Sequence, residues 1–481
     1  TLGMFQVESP GQRELIGKLQ PDEYEDLIAD ISLFRPGPMK GNMVEPYIAS
    51  KHHRGRPRPL HPRFTHFLAD AHGVVIYHEH VIRILADCMG IDFAQADELR
   101  RHMEQRGNSI EAAFRARTAE RRDPATGARL FTDADIDRIW KVLEGFGSFG
   151  FCKAHGAAFA LPTWQTAWLK TRYPAEFLAG LLEHDPGMYP RRLLMAEARR
   201  LGIPILPLDV NHSQASYRLE RLRPTPPGQR AQPGDLGIRL AFKDLRGISE
   251  AETARIVAGA PFESIDDFVL RARPNRTLLG RLAAVGALDS LAPGEPRGRI
   301  IAYAAERAAH RRPERTDTEN MLDLSLADRL PDAAPEQSDD ARIAAELEAL
   351  GTEVRGHVLD TYREFLAELE VTPAAELRNL PDKSEVLVAG MRIATQTPPM
   401  KSGDRVVFIS VDDGTGISDT VFFPDAQEVA GPALFGPRLL VIQGITRRTG
   451  KAGVSITGGN AWNLQELHRQ WLAARRQVAV G

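Results

Sequence analysis

The sequence predicts a multidomain protein with a mainly α-helical first part, an α+β middle module of helical hairpins and an all-β barrel near its C-terminus. Three observations predict this order. Apolar residues recur at helical spacing up to about residue 205. Glycines near 247 and 286 interrupt segments that otherwise have a helical pattern. Runs of β-branched residues, broken by turn residues, fill most of the last hundred positions. A length of 481 residues suits roughly three domains.

The composition is that of an ordinary globular protein, with 43% hydrophobic and 26% charged residues. No apolar run reaches the twenty or so residues of a membrane span, so we expect a cytoplasmic protein with no membrane partner. The two cysteines, Cys88 and Cys152, are far apart, which excludes a disulfide framework and a cysteine zinc site. Because the net charge is only −3, contacts with nucleic acid must come from local basic stripes. Four such stripes occur in the first 200 residues: 51–59, 99–106, 115–122 and 191–200.

The first part opens with Thr1, inside a segment already dense in apolar and turn residues, which is typical of a piece of a longer protein. Near its end Gly145, Gly147 and Gly150 form a GxGxxG pattern. A dinucleotide fold needs a strand before these glycines, whereas residues 132–146 have helical spacing that begins after a Thr132 cap.

Two interpretations of the glycine stretch stay open. The helix expected to begin near Lys153 and His155 has amide groups and two basic side chains that favour an anion such as a triphosphate. Alternatively, the glycines form an ordinary turn between helices, and the spacing alone favours this second interpretation.

The middle part predicts short strands between 215 and 245, followed by helices to 291. A short loop that contains Gly247 precedes a helix N-terminus. The letters VGAL within 275–289 suggest a second loop of the same kind. Paired helix-hairpin-helix units hold backbone phosphates with such loop amides, although an ordinary helical hairpin is equally compatible with these letters. Candidate DNA contacts here are Gly247, Ser249 and Arg276.

Residues 313–341 are polar and proline-rich, which predicts a linker, and a short helical segment follows to about 370. The tail then alternates as about five strands, which predicts a small OB-type barrel of a kind that often binds single strands. Phe408, Phe422 and Phe423 are candidates for stacking on bases, although strand aromatics more often belong to a core.

Two clusters resemble metal sites. Asp133, Asp135 and Asp137 are better explained as first-turn acids of a helix, where neighbours two apart face different sides. The Tyr77–His80 stretch lacks a third ligand and is interpreted as a helix entry or a groove-lining loop. We therefore predict no metal ligand in this chain.

Nearly the whole chain resembles the C-terminal part of the catalytic alpha subunit of bacterial DNA polymerase III, the C family of DNA polymerases. The resemblance rests on GMFQVES (3–9), YEDLIADISLFRPGPM (24–39), GVVIYHEHV (73–81), ADELRRHM (96–103), GFGSFGFCKAHGAAFA (145–160), QTAWLKTRYPAEF (165–177) and ILPLDVNHS (205–213). It implies polymerase fingers at 1–205, a tandem helix-hairpin-helix module at 206–312, a linker with a short helical segment at 313–380, an OB domain at 381–465 and a basic C-terminal helix at 466–481.

The resemblance also implies roles for residues. Because the fingers of that family cover the incoming nucleotide, Arg35, Arg100, Arg101, Lys153 and His155 become candidates for contacting its triphosphate or the primer-template. The palm aspartates that bind Mg²⁺ precede the fingers in the family, so we expect no catalytic residue here and no polymerisation by this chain alone.

Three features are similar to the error-prone branch of the family: a weak clamp motif in the linker, CKAH at 152–155 in the fingers, and an OB domain followed by only a short basic helix. The chain also departs from the family pattern, because YQEQ appears as Tyr77–His80 and the hairpin glycine pair appears as Gly247–Ser249. The linker reads TENMLDLSL, without the glutamine and phenylalanine of a sliding-clamp peptide, so any clamp contact is expected to be indirect, through mutagenesis accessory proteins. Two alternatives stay open: a replicative alpha subunit, and a non-catalytic scaffold that binds single-stranded DNA.

Overall fold

The computed structural model describes residues 1–34, 43–52, 60–145, 151–185, 187, 189–225, 229–309, 330–331, 334–397, 405–449 and 453–480. The chain divides into two compact units, 1–168 with 448–453 and 169–447 with 454–481. None of the described helices is both long enough and apolar enough to cross a membrane.

The first unit is helical, as predicted. Its helices are α1 (Pro10–Leu19), α2 (Tyr24–Leu33), α3 (Val44–Lys51), α4 (His78–Met89), α5 (Phe93–Glu120), α6 (Asp133–Glu144) and α7 (Lys153–Arg172), and the boundary between the units falls within α7. Helix α6 shows why the sequence forms these elements. Thr132 and Asp135 make a reciprocal capping box, and Ile136, Ile139 and Leu143 are buried on one face. The segment before Gly145 is therefore a helix and not the strand of a dinucleotide fold.

Two hydrophobic clusters hold the first unit together. One lies around α4, α5 and α6 and includes the fully buried Phe64 and Phe114 with Trp140. The other lies around α1, α2 and α3 and includes Tyr77 and, from α7, Ala160. Tyr77 is the N-cap residue of α4, so the predicted helix entry at Tyr77–His80 is confirmed.

The second unit begins with a helical and mixed α+β module. Its elements are α8 (Pro174–His184), α9 (Arg191–Arg200), β1 (Ile205–Leu206), β2 (Arg218–Arg221), β3 (Leu236–Arg239), α10 (Glu250–Gly259), α11 (Ile265–Ala272), α12 (Arg276–Ala284) and α13 (Arg297–Ala309). The three short strands form one sheet in the order β1-β3-β2, parallel between β1 and β3 and antiparallel between β2 and β3. One large core packs the sheet against the surrounding helices.

The short helical segment predicted after the linker comprises α14 (Asp339–Leu350) and α15 (Arg363–Glu368). Much of the predicted linker, including TENMLDLSL, lies outside the described residues.

The C-terminal strands form a closed five-stranded barrel. Its elements are β4 (Glu385–Gln396), β5 (Val407–Asp412), β6 (Ile417–Phe422), α16 (Pro424–Ala430), β7 (Leu439–Thr449) and β8 (Gly453–Asn463), followed by α17 (Leu464–Val480). The order β4-β5-β6-β8-β7, with β6 and β8 parallel, is consistent with an OB-type fold. The predicted fold class is thereby confirmed.

Candidate nucleotide and nucleic-acid contacts

Lys153 is the first residue of α7, where the sequence predicts an anion. The anion that the structure places there is a carboxylate of the chain itself. The backbone amide of Lys153 donates to both Glu79 carboxylate oxygens, each at 3.1 Å, and the Cys152 thiol donates to the same group. The helix dipole favours an anion at the N-terminus of α7. The Glu79 carboxylate, 74 positions away in the sequence, therefore acts as the cap of this helix.

The side chain of Lys153 is also held. Its ammonium lies 2.5 Å from Asp70 Oδ2 and 5.4 Å from the centre of the Tyr77 ring. The other Asp70 oxygen lies 3.4 Å from Nε2 of the buried His80, whose Nδ1 accepts from the Ile76 amide. The hydrogen bond from His80, with that from Lys153, lowers the pKa of Asp70 well below its usual range. Lys153 therefore stays partly exposed, at 37%, but is oriented by an anionic partner.

The remaining predicted nucleotide residues do not join this cluster through described contacts. His155 is exposed and its ring lies between Phe151 and Phe159, with centroids 5.1 and 4.4 Å away. Arg35 lies outside the described residues, as do Gly147 and Gly150.

Arg100 and Arg101 lie on α5 and share one acidic partner. The Nε atoms of both donate at 2.9 Å to Asp97, one to each carboxylate oxygen. Burial alone would raise the pKa of Asp97, but the two guanidinium groups outweigh it and lower that pKa. The Arg101 side chain is 68% exposed and the Arg100 side chain 18%, so Arg101 is the more accessible cation.

The first hairpin loop presents its backbone to solvent. Gly247 has φ +77°, and Arg281 Nη1 would lie 2.5 Å from any Cβ added there. That guanidinium donates to the carbonyl oxygen of Arg246 at 2.6 Å and so fixes the loop. Ser249 caps α10 through a box with Glu252, and within the described chain no acceptor contacts the amide of Gly247. The Gly247 amide lies beside Arg246 and Arg281, and a backbone amide in such a position can bind a phosphate oxygen.

Arg276 lies beside this loop although it is distant in sequence. Glu252 accepts from the side chains of both Ser249 and Asn275, which brings together the N-termini of α10 and α12. Burial would raise the pKa of Glu252, but the bonds from Ser249 and Asn275 lower it. Arg276 follows Asn275 directly and is exposed. The structure thus places the predicted Gly247, Ser249 and Arg276 in one neighbourhood.

The second hairpin loop repeats the left-handed glycine of the first, with Gly286 at φ +80°, but it differs from the first loop in burial. Val285, Ala287 and Leu288 are buried, and the Ala287 amide donates to the Leu282 carbonyl. The nearly buried Arg297 lies against Gly286, where an added Cβ would meet its guanidinium. This loop is part of the core and offers no amide to a phosphate.

On the barrel, two of the three predicted aromatics, Phe408 and Phe422, differ in burial. Phe408 is half-buried and alternates with the core residues Val407 and Ile409. Phe422 is fully buried, and its ring packs where Gly458 leaves room for it. Phe422 cannot stack on a base, so its assignment to DNA binding is corrected to a role in the barrel core.

Two aromatics of the barrel region are exposed: Phe423, which is one of the predicted candidates, and Phe435, which is not. Phe423 is 41% exposed at the start of α16, and Phe435 is 59% exposed. Arg392 holds the Phe435 loop by donating to the carbonyl oxygens of Leu434 and Phe435 at 2.8 and 2.9 Å.

The three aspartates of α6 have partners within the protein. Asp133 pairs with Arg129, Asp135 belongs to the Thr132 cap, and Asp137 pairs with Arg115. Among the described residues no group of three His, Cys, Asp or Glu side chains is arranged to hold a metal ion. The described donor groups therefore do not fit a magnesium site.

Two family models match the chain. Residues 1–122 match the bacterial DNA polymerase III alpha subunit finger domain, and residues 202–298 match a helix-hairpin-helix motif. Both models agree with the sequence resemblance, which is confirmed.

Similar curated proteins include three that are each named error-prone DNA polymerase. That of Symbiobacterium thermophilum is 33% identical over 95% of this chain and 45% of its own length. The protein of Anaeromyxobacter dehalogenans is 34% identical over 94% of this chain and 39% of its own length. The protein of Dechloromonas aromatica is 32% identical over 92% of this chain and 41% of its own length. The chain thus spans less than half the length of these relatives.

Proposed function

We propose that this chain, which carries the finger domain and helix-hairpin-helix motif of bacterial DNA polymerase III alpha subunits, binds the incoming nucleotide and the primer-template in an error-prone, DNA-directed DNA polymerase. The observation that carries the proposal is similarity along 95% of the chain to a protein named error-prone DNA polymerase. Translesion synthesis by the whole enzyme, in the cytoplasm, belongs to the same proposal.

At the nucleotide, Lys153 is the proposed contact with the triphosphate. The other proposed contacts with the triphosphate or the primer-template are His155, Arg35, Arg100 and the more exposed Arg101. A cation placed before the reaction stabilises charge that spreads over the transferring phosphates. Because Asp70 holds the Lys153 ammonium, the triphosphate must compete with this carboxylate. Magnesium chemistry is assigned to the palm aspartates, which precede the fingers in the polymerase family that this chain resembles. Among the described residues, no three His, Cys, Asp or Glu side chains are arranged to hold a metal ion.

At the DNA, the amide of Gly247, the first turn of α10 and Arg276 are proposed to hold backbone phosphates. Such contacts position the duplex without reading its sequence. The proposed clamp contact is indirect and runs through accessory proteins.

Primer extension on intact and damaged templates tests the function, with this chain and with the longer protein compared side by side. We expect extension and bypass only by the longer protein. In that protein Lys153→Gln should raise KM for the nucleotide, whereas Lys141→Gln, an exposed lysine on α6, serves as the matched control.

Three other outcomes decide against the proposal. Equal KM values in the two lysine variants would remove Lys153 from the nucleotide site. Faithful extension that stops at damage would favour a replicative alpha subunit. Single-strand binding without any extension would favour a scaffold.

A further inference from the structure

The β2–β3 hairpin carries a concentration of positive charge that the proposed function does not use. Residues 218–239 contain five arginines and two acidic residues, a net charge of +3, whereas the whole chain has −3. The arginines are Arg218, Arg221, Arg223, Arg230 and Arg239.

The two acidic residues of this hairpin are already occupied. Glu220 is bound by Arg239 through two hydrogen bonds of 2.6 and 2.7 Å, and Asp235 accepts from the Gln232 amide at 2.7 Å. Arg218 pairs in register with Arg239, and like charges at such positions destabilise a sheet. Arg218 itself has no acidic partner among the described residues, so folding gives no reason for its charge.

Three of the arginines lie on the outer strand of the sheet or just after it: Arg218 and Arg221 in β2, and Arg223 two residues beyond its end. Strand β2 is the outer strand of the sheet order β1-β3-β2. Arg218, Arg221 and Arg223 are all exposed, and the described side-chain bond of Arg221 goes only to the Thr225 hydroxyl. At about 3.4 Å per residue in a strand, Arg218 and Arg221 are about 10 Å apart along β2, and their side chains start from opposite faces of the sheet because they are three positions apart. One strand of duplex DNA places a phosphate about every 3.4 Å along the axis, so this length spans about three nucleotides.

The edge begins next to the segment that leads into the first hairpin loop. The hydroxyl of Tyr217, the residue before β2, donates to Asp244, and the Lys243 ammonium lies 5.5 Å from the centre of the Tyr217 ring. Asp244 precedes Gly247 by three positions.

We infer that Arg218, Arg221 and Arg223, here called the arginine edge, bind the phosphate backbone of duplex DNA and extend the contact made by the first hairpin. The inference rests on the proposed function, because it takes primer-template DNA as the ligand. The competing explanation is that these charges only prevent edge-to-edge association of the sheet. The two explanations differ in the salt dependence of DNA binding.

The test is equilibrium binding of a mixed-sequence duplex by the whole protein over a range of salt concentrations. The magnitude of the slope of log K against log salt falls by about 0.9 for each phosphate that the protein no longer neutralises. R218Q/R221Q/R223Q should therefore reduce that magnitude by up to about 2.7. R218K/R221K/R223K should retain the slope, since lysine also neutralises a phosphate.

R363Q/R469Q/R476Q is the matched control, because it removes three exposed arginines from α15 and α17 and changes net charge equally. An unchanged slope in the glutamine edge variant would overturn the inference, as would an equal reduction in the control. Aggregation of the edge variant with an unchanged slope would support the competing explanation.

Arg276→Gln separates this inference from the hairpin proposal. A lower slope in R276Q but not in the edge variant would leave the hairpin site standing and refute the arginine edge. A lower slope in the edge variant alone would leave the arginine edge standing and refute the contact of Arg276 with DNA.

Discussion

The glycine of the first hairpin offers the sharpest test of how this loop is built. In Gly247→Ala, the new Cβ must adopt a left-handed φ of +77° and displace Arg281. The backbone term costs roughly 1–2 kcal/mol. Losing the solvent-exposed hydrogen bond from Arg281 to the Arg246 carbonyl adds about 1.5 kcal/mol, the low end for a charged donor. The sum is about 2.5–3.5 kcal/mol.

Hydrogen exchange measures this local cost without assuming two-state unfolding of a multidomain chain. Because about 1.4 kcal/mol is tenfold, the amides of α10 should exchange roughly 70- to 400-fold faster in Gly247→Ala. Gly294→Ala is the control, since Gly294 has φ +84° and an added Cβ meets no atom within 4 Å. In Gly294→Ala only the cost of the left-handed backbone applies, so the amides of α13 should exchange about 5- to 30-fold faster.

Equal acceleration in the two glycine variants would refute the role given to Arg281. A double-mutant cycle with Arg281→Gln provides an independent check, because the Arg281 contribution can be removed only once. The variant Gly247→Ala/Arg281→Gln should therefore exchange no faster than Gly247→Ala alone.

Three further predictions concern the core, the cap and pH. Phe422→Ala should destabilise the barrel by about 3–5 kcal/mol in denaturant unfolding, whereas Phe423→Ala should leave its stability within about 1 kcal/mol; equal losses would contradict the burial of Phe422. Ser249→Ala should weaken α10 by about 1 kcal/mol, seen as faster amide exchange in its first turn, because the cap is removed. Hydrogen bonds from His80 and Lys153 hold the pKa of Asp70 below its usual range, so these contacts stabilise the fold above the unfolded carboxyl pKa of about 3.9, and their contribution is lost progressively as pH falls below it. Asp70→Asn should therefore flatten the acid side of the stability profile in thermal unfolding, and an unchanged profile would show that these contacts contribute nothing.

Local patterns in the sequence predicted most of the elements. Helix α6 follows from Thr132 and its apolar spacing, and the loop at Gly247 follows from a glycine before a helix N-terminus. Four of the five barrel strands are visible as β-branched runs. The fifth, β8, contains three glycines among its 11 residues and carries too weak a strand pattern to stand out.

The candidate sites depended more on tertiary structure. The sequence identifies Lys153 as a cation near a helix start, but its partners Asp70 and Glu79 lie 83 and 74 positions away. Glu79 was visible in the YHEHV stretch, yet no local signal links it to α7. In the same way, Arg246 and Arg281 were missed because their contact joins the first hairpin loop to α12.

What the sequence determined by itself was the order of helical, hairpin and barrel parts, because short-range spacing and turn chemistry act within about one element. Only the tertiary structure decided which hairpin faces solvent. Gly247 and Gly286 have similar backbone angles, φ +77° and +80°, and similar local surroundings in the sequence. The first loop is exposed beside Arg276, while the second is buried against Arg297, because burial depends on which distant residues pack over a loop.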